Sequence, residues 1–202
     1  MIVNYKQKYL VYSPFKNYST SLDYFLIQDG EYNVHNRIIG PNPEYNWKSQ
    51  EYYSPHTAQV PQDFLGEDWR RFLPIRNPYD RCISMWKWHI HKVPEDKKIT
   101  FHNWLLEYAK QPACRPVVTV YPDWTHLLRC EDIVNELGSA DIHLGIPYPP
   151  SAKQKEDKLK TFPHANKSTV KKRKHTFTPY EQDLIYWYHR EDFMAGNYPK
   201  VP

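Results

Sequence analysis

Residues Arg70–Trp86 read RRFLPIRNPYDRCISMW, and this stretch decides the fold class. Arg70–Arg76 is rich in apolar and bulky residues and predicts a strand. Asn77-Pro78 then predicts a helix start, because Asn caps the free N–H groups and Pro suits the first turn. The helix is expected to run to about His91. Arg76 thus stands at the carboxyl end of a strand and Ser84 on the helix that follows, eight residues later. In open α/β sheets ligands bind at that end of the strands, and a guanidinium offers a two-pronged contact to phosphate. Arg81 and Asp80 are expected to form an ion pair on the helix surface. Pro74 withholds a ladder donor and predicts an edge strand or a bulge.

The same strand-to-helix arrangement occurs upstream in Tyr12–Leu26, YSPFKNYSTSLDYFL. Lys8–Ser13 predicts a short buried strand. A turn carrying Lys16 leads into a helix opened near Ser19, Thr20 and Ser21, with Leu22, Phe25 and Leu26 on one face and Gly30 as its stop. A helix start offers unpaired N–H groups and a positive dipole end, and a lysine with hydroxyls beside it makes an anion site. GxxxxGK[ST] is absent, so this is not a Walker loop.

Elsewhere, Thr100–Lys110 predicts an amphipathic helix with Phe101, Trp104, Leu105 and Tyr108 inward. Thr125–Arg129 predicts a strand, and a helix follows from about Glu131 to Leu137, stopped by Gly138. Tyr32–Pro61 reads mostly as loop, with a strand at Glu51–Ser54. Ile146–His175, rich in Pro and Lys, reads as loop. Thr178-Pro179-Tyr180-Glu181 is a capping box, opening a last helix whose apolar face is Leu184, Ile185 and Tyr188. Strands alternating with helices predict an α/β protein: three layers, with a central parallel sheet flanked by helices, as one domain over 1–202.

Composition bounds the function. The 202 residues carry a net charge of +4, 18 Pro, only 6 Gly and 16% aromatics. The modest charge argues against nucleic acid as partner and fits a small polyanion. Cys82, Cys114 and Cys130 have no CxxC spacing, which argues against a disulfide framework or a metal site and for reduced, buried thiols. No apolar run approaches the roughly 20 residues of a membrane span, and MIVNYKQKYLVYS lacks signal-peptide architecture. A soluble, cytoplasmic protein is expected.

Four segments, in order, resemble the PAPS-dependent sulfotransferases. RNPYDRCIS resembles that family's 3′-phosphate motif, and FKNYSTSL its 5′-phosphosulfate loop. LLRCED, Leu127–Asp132, resembles the strand-plus-Glu segment. FPHANKS through TPYEQDLIYWYHREDFMAGNY, Phe162–Tyr198, resembles the C-terminal loop and last helix. Loop lengths and the HREDF ending are closer to the carbohydrate/Golgi-type branch, as in a soluble bacterial or viral-like member. The family's loop proline is Phe15 here and its glycine Tyr18.

The resemblance implies a P-loop-like version of the three-layer fold, PAPS as co-substrate, PAP as product and no metal. Lys16 would contact the phosphosulfate bridge and stabilise the leaving phosphate. Asn17, Tyr18, Ser19, Thr20 and Ser21 form the loop that would hold the 5′-phosphate, and Arg76 and Ser84 would hold the 3′-phosphate. Lys167, Lys172 and Arg173 belong to a basic loop that would close over the nucleotide. The acceptor would be a hydroxyl, with carbohydrate the favoured class. Its proton needs a base, and His56, in YYSPHTAQV, is the candidate, with His35 and Glu51 in reserve. Two other readings stay open: a nucleotide-binding protein of the same fold without activity, and a P-loop-like phosphoryl transferase.

Overall fold

The structure, a computed structural model, describes residues 2–4, 8–14, 16–17, 21–22, 25–26, 33–34, 65–108, 115–140, 152–162 and 175–201. The elements are β1 (Ile2–Asn4), β2 (Tyr9–Val11), β3 (Asn33–Val34), β4 (Arg70–Ile75), α1 (Pro78–Lys92), α2 (Phe101–Tyr108), α3 (Val117–Val120), β5 (His126–Arg129), α4 (Ile133–Ser139), α5 (Ala152–Lys160), α6 (Pro179–Tyr188) and α7 (Arg190–Ala195). They fall into two compact units. The first comprises residues 1–74 and 123–167, the second residues 75–122 and 168–202.

Among the described residues the sheet has five strands, in the order β3-β1-β2-β4-β5. β2, β4 and β5 form its parallel part, so the protein is α/β as predicted. The pairing of β2 with β4 sets Tyr9 opposite Arg70 and Val11 opposite Phe72. The sheet is mixed rather than wholly parallel. β1 pairs antiparallel with β2, Ile2 facing Val11, and β3 pairs antiparallel with β1. Neither β1 nor β3 was foreseen, since three and two residues are too short to show a period of two.

β4 is not an edge strand, although that was one of the two expectations from Pro74. It lies between β2 and β5. Its ladder with β2 runs through the residues before the proline, ending where the Tyr12 N–H reaches the Phe72 carbonyl at 2.9 Å. Pro74 comes after that bond, where no donor is needed toward β2.

The core of the first unit gathers on one face of this sheet. Tyr9, Val11, Phe72 and Leu128 of the strands meet Leu22, Phe25 and Leu26, which are helical as predicted, and Ile133, Leu137 and Phe162. Tyr9 and Phe72 meet edge to face at 6.0 Å, and the Arg70 guanidinium lies 5.9 Å from both ring centres. Leu10 alternates to the opposite face and is equally inaccessible, the burial on both faces typical of parallel strands.

α5 contradicts the loop expected over Ile146–His175. AKQKEDKLK is built of strong helix formers. Lys160 reaches Glu156 at 2.7 Å, one turn away, and Leu159 packs on the core cluster. The neighbouring prolines masked a nine-residue helix. α4 runs to Ser139, through the predicted stop at Gly138, after a 3₁₀ turn over Cys130–Asp132. The expected strand at Glu51–Ser54, the stop at Gly30 and Cys114 lie outside the described residues.

In the second unit α1 packs on α2 and α6, α3 on α7, and α6 on α7. Phe101, Trp104, Leu105 and Tyr108 of α2 are all buried, as predicted. The capping box at Thr178 and Glu181 is formed in both directions. The apolar face of α6 is different from the one expected. Tyr188 is 40% exposed, and the buried line is Glu181, Ile185 and His189 at intervals of four residues. Two polar groups on that line direct attention to what they meet.

Candidate functional site

In the first unit, Pro14–Asn17 forms a turn in which the Asn17 N–H reaches the Pro14 carbonyl at 3.2 Å. Lys16 sits at its third position with φ +64°. A left-handed backbone costs a residue with a side chain roughly 1–2 kcal/mol, and such strain gathers at functional sites. Asn17 fixes the turn from below. It is fully buried, and its Nδ2 donates to the Pro74 carbonyl at 2.9 Å. Its Oδ1 is buried with no hydrogen-bond partner among the described residues. Ser21 is buried and helical. The turn thus follows the end of β2 and is tied to the end of the adjacent parallel strand β4. Tyr18, Ser19 and Thr20 lie outside the described residues.

In the second unit, Arg76 follows β4 directly and Ser84 lies on α1; both are partly exposed. Asn77 caps α1 as predicted, accepting the Tyr79 N–H at 3.0 Å, with Pro78 in the first turn. The candidate phosphate residues therefore divide, Lys16, Asn17 and Ser21 in one unit and Arg76 and Ser84 in the other. His56, the reserves His35 and Glu51, and Lys167, Lys172 and Arg173 lie outside the described residues.

Arg81 is not in a surface pair with Asp80. Asp80 is exposed, whereas Arg81 is 5% exposed and its Nη1 lies 3.6 Å from Asp192 Oδ2. The Asp192 carboxylate also accepts the Val117 and Val118 N–H groups, at 2.8 and 3.0 Å, at the open start of α3. His189 Nδ1 lies 3.7 Å from the same oxygen, and His189 Nε2 lies 3.7 Å from Cys82 Sγ. The sequence signal for this cluster was the polar residue His189 on the buried line of α6.

The order Cys82–His189–Asp192 has the outline of a nucleophilic relay, but the electrostatics are wrong for one. Burial pushes the Cys82 thiol up to about 12; Arg81 draws it down and Asp192 pushes it up. A neutral, inaccessible thiol is a poor nucleophile. Burial also lowers His189, as does Arg81, against the opposing pull of Asp192 and Glu191. The cluster is a neutral imidazole and thiol beside one ion pair.

That arrangement fixes a pH dependence. The groups facing His189 are Arg81 and Cys82 of α1 and Glu191 and Asp192 of α7, and Tyr121 after α3 is held up to about 12 chiefly by burial. With His189 lowered from 6.5 in the fold, the unfolded chain binds the extra proton. Stability is therefore highest above pH 6.5 and falls as pH drops below it, until the folded imidazole also protonates. Urea denaturation between about pH 7.5 and 5 is expected to show this loss, and His189→Gln to flatten it. An unchanged slope in the variant would assign the pH dependence to other groups.

A second carboxylate is shared by two imidazoles. Burial works to raise Glu181, but the Thr178 N–H and His175 outweigh it and lower its pKa. Its oxygens stand 3.2 Å from His175 Nε2 and 3.5 Å from His102 Nδ1. Glu181 thereby ties α2, α6 and the residues before α6 within this unit.

Among the described residues no group of three or more His, Cys, Asp or Glu side chains is arranged to hold a metal. No helix among them is long and apolar enough to cross a membrane. Cys82 and Cys130 are buried thiols, as predicted. No protein-family model matches the chain, and neither the curated proteins nor the solved structures yield a match.

Proposed function

We propose that this protein is a PAPS-dependent sulfotransferase with a P-loop-like core, acting on a hydroxyl acceptor, with carbohydrate the favoured class. One observation carries the reading most. The two segments that resemble the family's phosphate motifs follow neighbouring parallel strands, β2 and β4, and Asn17 ties the Lys16 turn to the Pro74 carbonyl. This is the end of an open α/β sheet at which ligands bind.

In this reaction the acceptor oxygen attacks sulfur, the sulfur–oxygen bond to the 5′-phosphate breaks, and PAP leaves. Lys16 supplies positive charge where the leaving phosphate develops. Ser19, Thr20 and Ser21, with Asn17 and Tyr18 in the same loop, hold the 5′-phosphate. Arg76 and Ser84 hold the 3′-phosphate. Lys167, Lys172 and Arg173 cover the nucleotide, and His56 takes the acceptor proton.

Calorimetry with PAP tests the nucleotide. Wild type is expected to bind it, and Arg76→Ala to weaken binding by about tenfold to a hundredfold, as for loss of a charge-assisted contact. Absence of binding to wild type would sink the proposal. His56→Ala is expected to abolish sulfuryl transfer while leaving PAP affinity unchanged; turnover near wild type would reject His56 as the base. The second reading is a binding protein without turnover. Phe15, Tyr18 and the left-handed Lys16 favour it, because they depart from a loop that ordinarily turns on glycine. PAP binding with no transfer to any acceptor hydroxyl would select it.

A further inference from the structure

Five contacts join residues 75–82 to one short C-terminal stretch of the same unit. The Tyr198 hydroxyl donates to the Ile75 carbonyl at 3.2 Å, immediately before Arg76. The Tyr79 hydroxyl donates to the Lys200 carbonyl. Arg81 pairs with Asp192, and Cys82 meets His189. The Tyr79 and Phe193 rings pack edge to face at 5.2 Å.

The stretch is shaped for this work. α7 ends with Gly196, and Asn197 takes φ +51°, a left-handed conformation that asparagine tolerates. The Asn197 N–H returns to the Met194 carbonyl at 3.3 Å and the Tyr198 N–H to the Phe193 carbonyl at 2.9 Å. This is a helix-ending reversal of the Schellman type. It swings Tyr198 back along α7, and a side chain at position 196 would run into the Tyr198 ring.

We infer that His189–Lys200 is a brace for the RNPYDRC segment, with Asp192 and Tyr198 as positioning residues that hold Arg76 and Ser84 in place for a 3′-phosphate. The inference rests on the nucleotide reading proposed above. The physical reason is local. Arg76 is the link between the last residue of β4 and the Asn77 cap, a single residue whose direction depends on both flanks. Tyr198 holds the flank before it, at Ile75. Asp192 holds the flank after it, one turn into α1 at Arg81, and simultaneously satisfies the open start of α3. Neither touches the ligand; both act through the backbone of the segment that does.

Two variants and two nucleotides test this. Tyr198→Phe removes one hydrogen bond and keeps the ring. It is expected to weaken PAP about fivefold and to leave AMP, which lacks the 3′-phosphate, within about twofold of wild type by calorimetry. A general loss of structure would weaken both nucleotides alike, and that result, or unchanged PAP affinity, would overturn the inference. Asp192→Asn is expected to weaken PAP selectively in the same way. It is also expected to speed alkylation of Cys82 by iodoacetamide at least about tenfold in native protein, read on the Cys82 peptide by mass spectrometry. If Asp192→Asn does not fold, Tyr198→Phe decides. If wild type binds no PAP, the nucleotide reading is what has failed; the brace is then decided by Cys82, and an unchanged alkylation rate in Asp192→Asn rejects it.

Discussion

Asp192→Ala is expected to lower the stability of the unit built from residues 75–122 and 168–202 by about 3–5 kcal/mol. Arg81 would be left 5% exposed with no counter-charge among the described residues, and two N–H groups at the start of α3 would lose their acceptor. The cost comes from what the deletion strands rather than from the strength of the pair. The Arg81 contact is long, at 3.6 Å, and Arg81 Nε and Nη1 and His189 Nδ1 make no hydrogen bond among the described residues. Removing both charges is therefore expected to hurt less than removing one. Arg81→Met combined with Asp192→Leu is expected to recover more than half of the loss, although the α3 N–H groups stay unpaired. Urea denaturation of the three proteins measures this. A loss under about 1 kcal/mol for Asp192→Ala would show that the carboxylate is not a central tie of this unit.

Phe72→Ala is expected to cost the other unit a similar amount, about 3–5 kcal/mol. Phe72 is 1% exposed and stands in β4, paired in register with Val11. Its ring packs on Tyr9 and lies 4.9 Å from the His126 ring. Strands on both sides would line the void, and strands held by ladder bonds collapse poorly onto a cavity. Phe72→Leu is expected to cost about 1.5 kcal/mol or less. Near-equal losses in the two variants would mean that the site relaxes, and that the cluster is less tightly packed than the burial of its members implies.

These two residues show unequal legibility. Phe72 could be read from the chain. It sits in a strand bounded by a charged stretch before and Asn-Pro after, and that pattern is local. The Asn77 cap, the Thr178 capping box and the inward face of α2 were legible for the same reason. Each depends on residues within one or two turns of one another, so spacing alone reports them.

Asp192 could not be read in that way. HREDF presents four charged or titratable residues in a row, and the burial of Asp192 among them depends on a partner 111 positions earlier, at Arg81. The same limit explains why Arg81 was assigned to its neighbour Asp80. It also explains why Pro74 pointed to an edge strand or a bulge: register with β2, set by residues 61 positions away, ends one bond before the proline matters. α5 failed differently. Its helix-forming residues were plain, but prolines on both sides drew the reading toward loop.

For the candidate site, the sequence established the chemistry on offer. It placed a lysine and hydroxyls after one strand, and an arginine and serine after another, and those orders hold in the structure. The sequence also shows Tyr18 where the family's loop has glycine, and Tyr18 lies outside the described residues. The tertiary structure places a left-handed residue at Lys16. Backbone angles in a turn are set by what pins its ends, here Asn17 on the Pro74 carbonyl, 57 residues away. Residue types and their order are properties of the chain. Which backbone is strained, which charge is buried and which strand lies inside the sheet follow from pairing between distant segments, and only the folded structure decides them.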